Sequence, residues 1–177
     1  MPRLDPESLH THVDRLFRAA WALCGRREDA EDLVQETFAR VLSRPRMLHG
    51  DDELAYLMRV LRNTYLTSRR TAARRPRTVP APETEPEDPR SSDHAERALM
   101  AGELLAAIAD LPEDLRLAVA AVDLLGLSYA QAGRVLDARE ATIATRLFRA
   151  RAQLAERLGD PRDSGREASS ANRSLNQ

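Results

Sequence analysis

Wherever apolar side chains recur in this chain they do so at steps of three and four and never in alternation, a pattern that admits helices and excludes a sheet. Leu9, Val13, Leu16, Phe17, Ala20 and Leu23 fall on one face of a first helix, which Gly25 is placed to end. Ala30, Leu33, Val34, Thr37, Phe38, Val41 and Leu42 make the inward stripe of a second, over residues 28–43, and Pro45 stops it. A third, from about Asp52 to Arg74, buries Leu54, Leu57, Val60, Leu61 and Tyr65 and sets Asp51, Asp52 and Glu53 at the positive end of its dipole. Leu99, Leu104, Leu105, Ile108 and Leu111 mark a fourth. Pro112 with Glu113 and Asp114 opens a fifth, which runs to Leu125 and ends at Gly126. Ser128 and Gln131 have the spacing of a capping box for a short helix to Leu136, Asp137 takes a tight turn, and Ile143, Leu147, Ala150, Leu154 and Leu158 stripe the last helix. The expected fold class is all-α, ending in a helix-turn-helix.

A net charge of −1 conceals a strong segregation. Residues 54–77 hold seven arginines (59, 62, 69, 70, 74, 75, 77) and no acid, whereas residues 78–96 hold six acids and only Arg90. The second segment also carries Pro80, Pro82, Pro86 and Pro89 and has no apolar period, so it buries too little surface to offset the entropy of ordering. It reads as a flexible acidic linker, and 159–177 as a disordered tail. Two small helical units remain, 1–77 and 97–158.

Several functional classes drop out on composition. No apolar run approaches the roughly eighteen residues of a membrane span, and the N-terminus lacks a signal-peptide core, so the expected location is cytoplasmic, without membrane insertion. The one cysteine, Cys24, excludes an internal disulfide and a multi-thiolate metal site, and is expected to be a small buried apolar group. His10, His12, His49 and His94 show no ligand spacing, so neither metal nor cofactor is expected. Asp29, Glu31, Asp32 and Glu36 have no histidine, glycine loop or nucleophile beside them, which argues against an enzyme. With Gln35 they form either a solvated acidic face or one that docks a basic partner.

Two basic elements point to nucleic acid. Along the third helix, Arg59, Arg62 and Arg69 offer cations for phosphate, Asn63, Thr67 and Ser68 offer hydrogen bonds, and Tyr56 and Tyr65 offer faces for base stacking. On the last helix, Thr145, Arg146, Phe148, Arg149 and Arg151 stand off the apolar stripe, where a recognition helix would enter a major groove. A merely structural helical hairpin has the same apolar spacing.

Taken together, EDAEDLVQETFARVL (28–42), AYLMRVLRNTYLTSRRTAARRP (55–76) and the stretch from LPEDLRLAVAAVDLLGLSYAQ to LFRARAQL (111–154) resemble regions 2 and 4 of the bacterial RNA polymerase sigma factors, sigma-70 family, extracytoplasmic-function (ECF) group. The helix-turn-helix alone is shared by many regulators; the DAEDLVQETF segment upstream is far more specific. The resemblance implies that Asp29, Asp32, Gln35 and Glu36 dock on the β′ clamp helices of core RNA polymerase. It implies that Tyr56, Arg59, Arg62, Asn63, Thr67, Ser68 and Arg69 hold the minus-10 strand of promoter DNA, with a flipped base trapped as the duplex melts. It further implies that Thr145, Arg146, Phe148, Arg149 and Arg151 read the minus-35 duplex beside the β flap, and that an anti-sigma factor is a partner. The alternative is a stand-alone helix-turn-helix regulator that needs no polymerase.

This chain departs from that pattern at several places. Ala144 replaces a usual Lys or Arg, Arg139 a usual Ser at the cap of the last helix, and Thr67 a frequent Asp. Ala132 and Gly133 stand where a larger Ile and an Ala are usual, which predicts a looser first helix of the motif, since a helical Gly costs roughly 1 kcal/mol relative to Ala.

Overall fold

Every regular element among the described residues, which in this computed structural model are 9–43, 52–74 and 92–159, is a helix. After a 3-10 turn over His10–His12 come α1 (Val13–Cys24), α2 (Arg27–Ser43) and α3 (Asp52–Arg74). Ala19, Ala20 and Ala22 on α1 are fully buried, and such small side chains bring its neighbours close, while Leu16, Leu57, Met58 and Leu61 fill the volume between them. Burying each of these larger side chains contributes about 1.5–3 kcal/mol. Thr37 is also fully buried, and its hydroxyl donates to the Leu33 carbonyl at 2.7 Å, so its polarity is satisfied inside the helix. Gly25 ends α1 as expected: it sits at φ +78°, and its N–H donates to the Trp21 carbonyl at 2.7 Å.

The second unit comprises α4 (Ser92–Ala109), α5 (Glu113–Val119), a π turn over Ala120–Leu124, α6 (Tyr129–Leu136) and α7 (Glu140–Leu158). α4 begins inside the segment read as linker; residues 78–91, and the tail after Gly159, lie outside the described residues. The helix expected to run unbroken to Leu125 widens instead, with the Leu125 N–H reaching back to Ala120 at 3.1 Å. That extra residue per turn lets Leu125 and Leu127 both face the core. The capping box is formed in full: Gln131 N–H donates to Ser128 Oγ at 3.2 Å, and Ser128 N–H to Gln131 Oε1 at 2.9 Å. Asp137 follows in the left-handed region at φ 54°.

Leu42, Leu104, Leu158 and Val13, all assigned inward from spacing, are exposed. Leu42 and Leu104 each adjoin a residue, Val41 and Leu105, that occupies the inward position, and a step of one residue turns the side chain by about 100°.

Gly133 also differs from expectation. A β-carbon there would lie 2.7 Å from the carbonyl oxygen of Ala138, so the missing side chain is what allows the turn to close on the helix, and Ala132 beside it is fully buried. This helix is tightly seated, not loose.

The two units lie against one another. α1 packs on α4 and on the π turn, and α3 packs on α6. Gly25 lies close against α4, because a β-carbon on it would meet the Ala109 Cβ at 3.0 Å.

Candidate nucleic-acid interface

On α2 the inward stripe is Ala30, Leu33, Val34, Thr37 and Val41, which leaves Asp29, Asp32, Gln35 and Glu36 exposed on the opposite side, as expected. Steps of three and four place Asp29, Asp32 and Glu36 in one row. Glu36 Oε1 accepts from Arg40 Nε at 2.7 Å within the helix. The same three acids form one wall of an open cleft of about 590 Å3. Facing them are Tyr65, Ser68 and Arg69 from α3 and Arg116 from the second unit. Cys24 lies half-buried at the base of this cleft. Burial pushes its thiol up to about 12, Asp29 adds to the shift and Arg116 opposes it, so the group stays protonated, though it lines the cleft and is not fully buried as expected.

The residues singled out on α3 divide between two faces. Tyr56, Arg59, Asn63 and Thr67 follow one another at three- and four-residue steps; Arg59, Asn63 and Thr67 are exposed and Tyr56 is partly buried against the core. The Thr67 hydroxyl donates to the Asn63 carbonyl at 2.8 Å and that of Ser68 to the Tyr65 carbonyl at 2.8 Å, so both are held on the helix. Arg62 and Arg69 lie round the helix from that row, and Arg69 reaches the second unit. Arg62 is half-buried, with its Nε enclosed and unpartnered, and Arg69 Nη1 donates to Glu113 Oε2 at 2.6 Å. Tyr65 is 4% exposed, which removes it as a surface for stacking bases. Its ring instead lies under two guanidinium groups, Arg69 at 5.9 Å and Arg116 at 5.8 Å. Neither Glu113 nor Arg116 stood out in the sequence, where each reads as part of an ordinary first helical turn.

On α7, Ile143, Leu147 and Ala150 are buried. Thr145, Phe148 and Arg149 point away from them; Phe148 is 76% exposed, an unusual position for so large an apolar ring and one suited to contact with a base edge or thymine methyl. Arg146 and Arg151 flank this face and are paired within the second unit. Arg146 Nε lies 3.3 Å from Asp114 Oδ2, and Arg151 Nη2 donates to Asp123 Oδ1 at 2.6 Å. Of the five residues marked from sequence, Thr145, Phe148 and Arg149 thus stand exposed on one face, while Arg146 and Arg151 have carboxylate partners within the second unit.

The Sigma-70 region 2 family profile matches residues 9–75, and the Sigma-70, region 4 profile matches residues 101–154. The chain is similar to the ECF RNA polymerase sigma factor SigE of Mycolicibacterium smegmatis, at 34% identity over 89% of this chain and 62% of that protein. It thus spans less than two thirds of that relative's length. It is also similar to the ECF RNA polymerase sigma-E factor of Haemophilus influenzae, at 31% identity over 75% of this chain and 76% of that one. Among solved structures, the sigma factor RpoE in complex with the anti-sigma factor NepR from Bartonella quintana matches with a TM-score of 0.69 and 25% identity, over 88% of this chain and 96% of that one. CnrH in complex with the cytosolic domain of CnrY has a TM-score of 0.56 at 22% identity, over 88% of this chain and 87% of that chain, which is a likeness of fold.

Proposed function

Since the chain belongs to the ECF group of bacterial RNA polymerase sigma factors, we propose that it binds core RNA polymerase and directs promoter-specific initiation by recognising minus-10 and minus-35 elements and assisting melting. The observation that carries this reading is the exposed acid row Asp29, Asp32 and Glu36, which shares a cleft with Ser68 and Arg69 of α3 in one helical unit. A face for a basic protein surface and a face for a DNA strand thus lie side by side.

In this reading residues 1–77 form the unit that docks and melts, residues 97–158 the unit that reads duplex, and residues 78–96 their connection. Asp29, Asp32, Gln35 and Glu36 meet the β′ clamp helices, and the second unit meets the β flap. Tyr56, Arg59, Asn63 and Thr67 engage the minus-10 strand, with Arg62, Ser68 and Arg69 completing the grip. Strand separation draws on binding energy, through base capture and phosphate neutralisation, and no nucleotide is hydrolysed, so the chain is not an enzyme. Thr145, Phe148 and Arg149 enter the minus-35 major groove while Arg146 and Arg151 approach the flanking phosphates. The site of action is the cytoplasm, and the likeness to RpoE held by NepR supports an anti-sigma factor as a further partner.

Transcription from a cognate promoter by purified chain plus core enzyme tests the assignment. The expected result is initiation with core and weak duplex binding without it. Tight sequence-specific duplex binding by the chain alone would favour a stand-alone regulator. Exchanging Asp32 and Glu36 for Arg should abolish core binding and leave the helical circular dichroism unchanged, since both side chains are exposed.

A further inference from the structure

Of the four arginines on α7, three meet an aspartate from residues 110–123, the stretch that holds α5 and most of the π turn. Arg157 Nη1 lies 3.3 Å from Asp110 Oδ2 and Arg146 Nε lies 3.3 Å from Asp114 Oδ2. Arg151 donates through Nη2 and Nε to the two carboxylate oxygens of Asp123, at 2.6 and 3.3 Å. Arg149 is the exception, with no ion pair among the described residues. It is also the arginine that shares an exposed face with Thr145 and Phe148.

Helix geometry gives this pattern a consequence. At about 100° per residue, Arg146 and Arg151 stand about 110° to either side of the centre of the Thr145, Phe148 and Arg149 face. When that face enters a major groove, the phosphates of the two strands run along its flanks, where these two guanidinium groups are. Arg157 lies about 9 Å beyond Arg151 along the axis, past the face. Phosphate contacts carry no sequence information, and an unpaired arginine makes them on any duplex. A guanidinium already paired with a carboxylate exchanges one anion for another and gains little. Both flanking pairs are partly exposed, so each is a modest tie that lowers the cation's pull on phosphate without burying it.

We propose that Asp114 and Asp123 are specificity-determining positioning residues: by holding Arg146 and Arg151 they withhold both flanking cations from the phosphates of non-cognate DNA, so that binding depends on Thr145, Phe148 and Arg149 meeting their bases. The proposal rests on the assignment of α7 to the minus-35 duplex. At a matched site each guanidinium still has donors to spare, since Arg146 is held through Nε and Arg151 leaves Nη1 unused by Asp123. The flanks thus strengthen a correct fit and add little to a wrong one. Sequence discrimination is a difference of two affinities, and these carboxylates act on the non-cognate one.

The test places the full-length chain, without core enzyme, on a labelled random-sequence duplex of ~30 base pairs across a salt series. Wild type is compared with Asp114→Asn, Asp123→Asn and Asp110→Asn; the last makes the same change in net charge but releases Arg157, off the flanks. Asp114→Asn and Asp123→Asn should each bind roughly two- to tenfold more tightly near ~0.1 M salt and steepen the slope of log affinity against log salt by up to about one, with a clearly smaller change for Asp110→Asn. The gain should vanish when Arg146→Ala is added to Asp114→Asn, or Arg151→Ala to Asp123→Asn, which ties it to the released guanidinium and not to net charge. With core enzyme, both variants should discriminate less well between a cognate promoter and the same promoter with its minus-35 element scrambled. Equal gains in all three variants, gains that survive loss of the arginine, or a lower melting temperature with an unchanged slope would each overturn the proposal. If scrambling the minus-35 element weakens wild-type binding while the slopes stay fixed, α7 reads the duplex and the carboxylates only brace it; if scrambling costs the wild type nothing, the assignment of α7 itself is wrong.

Discussion

The carbonyl oxygen of Ala138 stands 2.7 Å from the point that a β-carbon on Gly133 would occupy, so the turn of the helix-turn-helix is closed onto a bare backbone. Helix propensity by itself says that Gly133→Ala should stabilise α6 by about 1 kcal/mol. The contact decides the other way. The obstructing atom is backbone, it belongs to the turn held by the Ala138 N–H to Gly133 carbonyl bond at 2.9 Å, and it cannot swing aside as a flexible side chain would. Gly133→Ala is expected to destabilise the chain by about 1–3 kcal/mol, the usual cost of overpacking, measured by urea unfolding. Equal or higher stability would show that the turn relaxes cheaply.

Arg139 caps α7 in an extended conformation, φ −69° and ψ 149°, yet its side chain makes no hydrogen bond to the first turn. A serine in that geometry can accept from the backbone N–H groups that begin the helix. Arg139→Ser should therefore raise stability by about 1 kcal/mol, visible as a higher melting temperature. No change in the melt would mean that these N–H groups are already satisfied by water at no cost.

The position of Cys24 sets its pH dependence. Its folded pKa is raised from 9.0 to about 12, by burial first and Asp29 second, so folding favours the neutral thiol. The resulting stability is complete below pH 9 and is lost as pH rises from 9 toward 12. At pH 8 the native thiol should react with iodoacetamide at least ~100-fold more slowly than in the urea-unfolded chain, because the thiolate is the nucleophile. Comparable rates in the two states would show that Cys24 is solvated, and that the cleft above it opens readily.

Local signals made most of the fold legible. Ser128 with Gln131, Gly25 after Leu23, and the runs of Leu16, Leu23, Leu57 and Leu61 each act within one or two helical turns, and each appears where spacing put it. What spacing cannot carry is pairing across distance. Arg69 and Glu113 are 44 residues apart, and Arg151 and Asp123 are 28 apart, so an unbroken run of arginines looked like one cationic surface when tertiary contacts had already divided it. Tyr65 shows the same limit: its period marks it as buried and its chemistry as a stacking face, and burial prevailed. The π turn leaves no composition signal, because Ala120 to Leu124 suit an α-helix equally well.

Two arginines on α7, read alike from the sequence, should behave differently when replaced. Arg149 is exposed on the face with Thr145 and Phe148, whereas Arg151 is tied to Asp123 through two hydrogen bonds, at 2.6 and 3.3 Å. Arg149→Ala should weaken minus-35 binding by the polymerase complex and reduce the slope of log affinity against log salt by about one, as expected for one lost phosphate contact. Arg151→Ala removes a half-exposed ion pair, so it should lower stability by less than about 1 kcal/mol and move the slope less. If both variants lose the same slope, Arg151 must leave Asp123 when DNA arrives, and Asp123→Asn should then tighten duplex binding by releasing the guanidinium in advance. If instead Asp123→Asn leaves affinity unchanged and only lowers the melting temperature, the pair serves to fix α7 against the π turn, and Arg149 supplies the greater part of the phosphate contact from this helix.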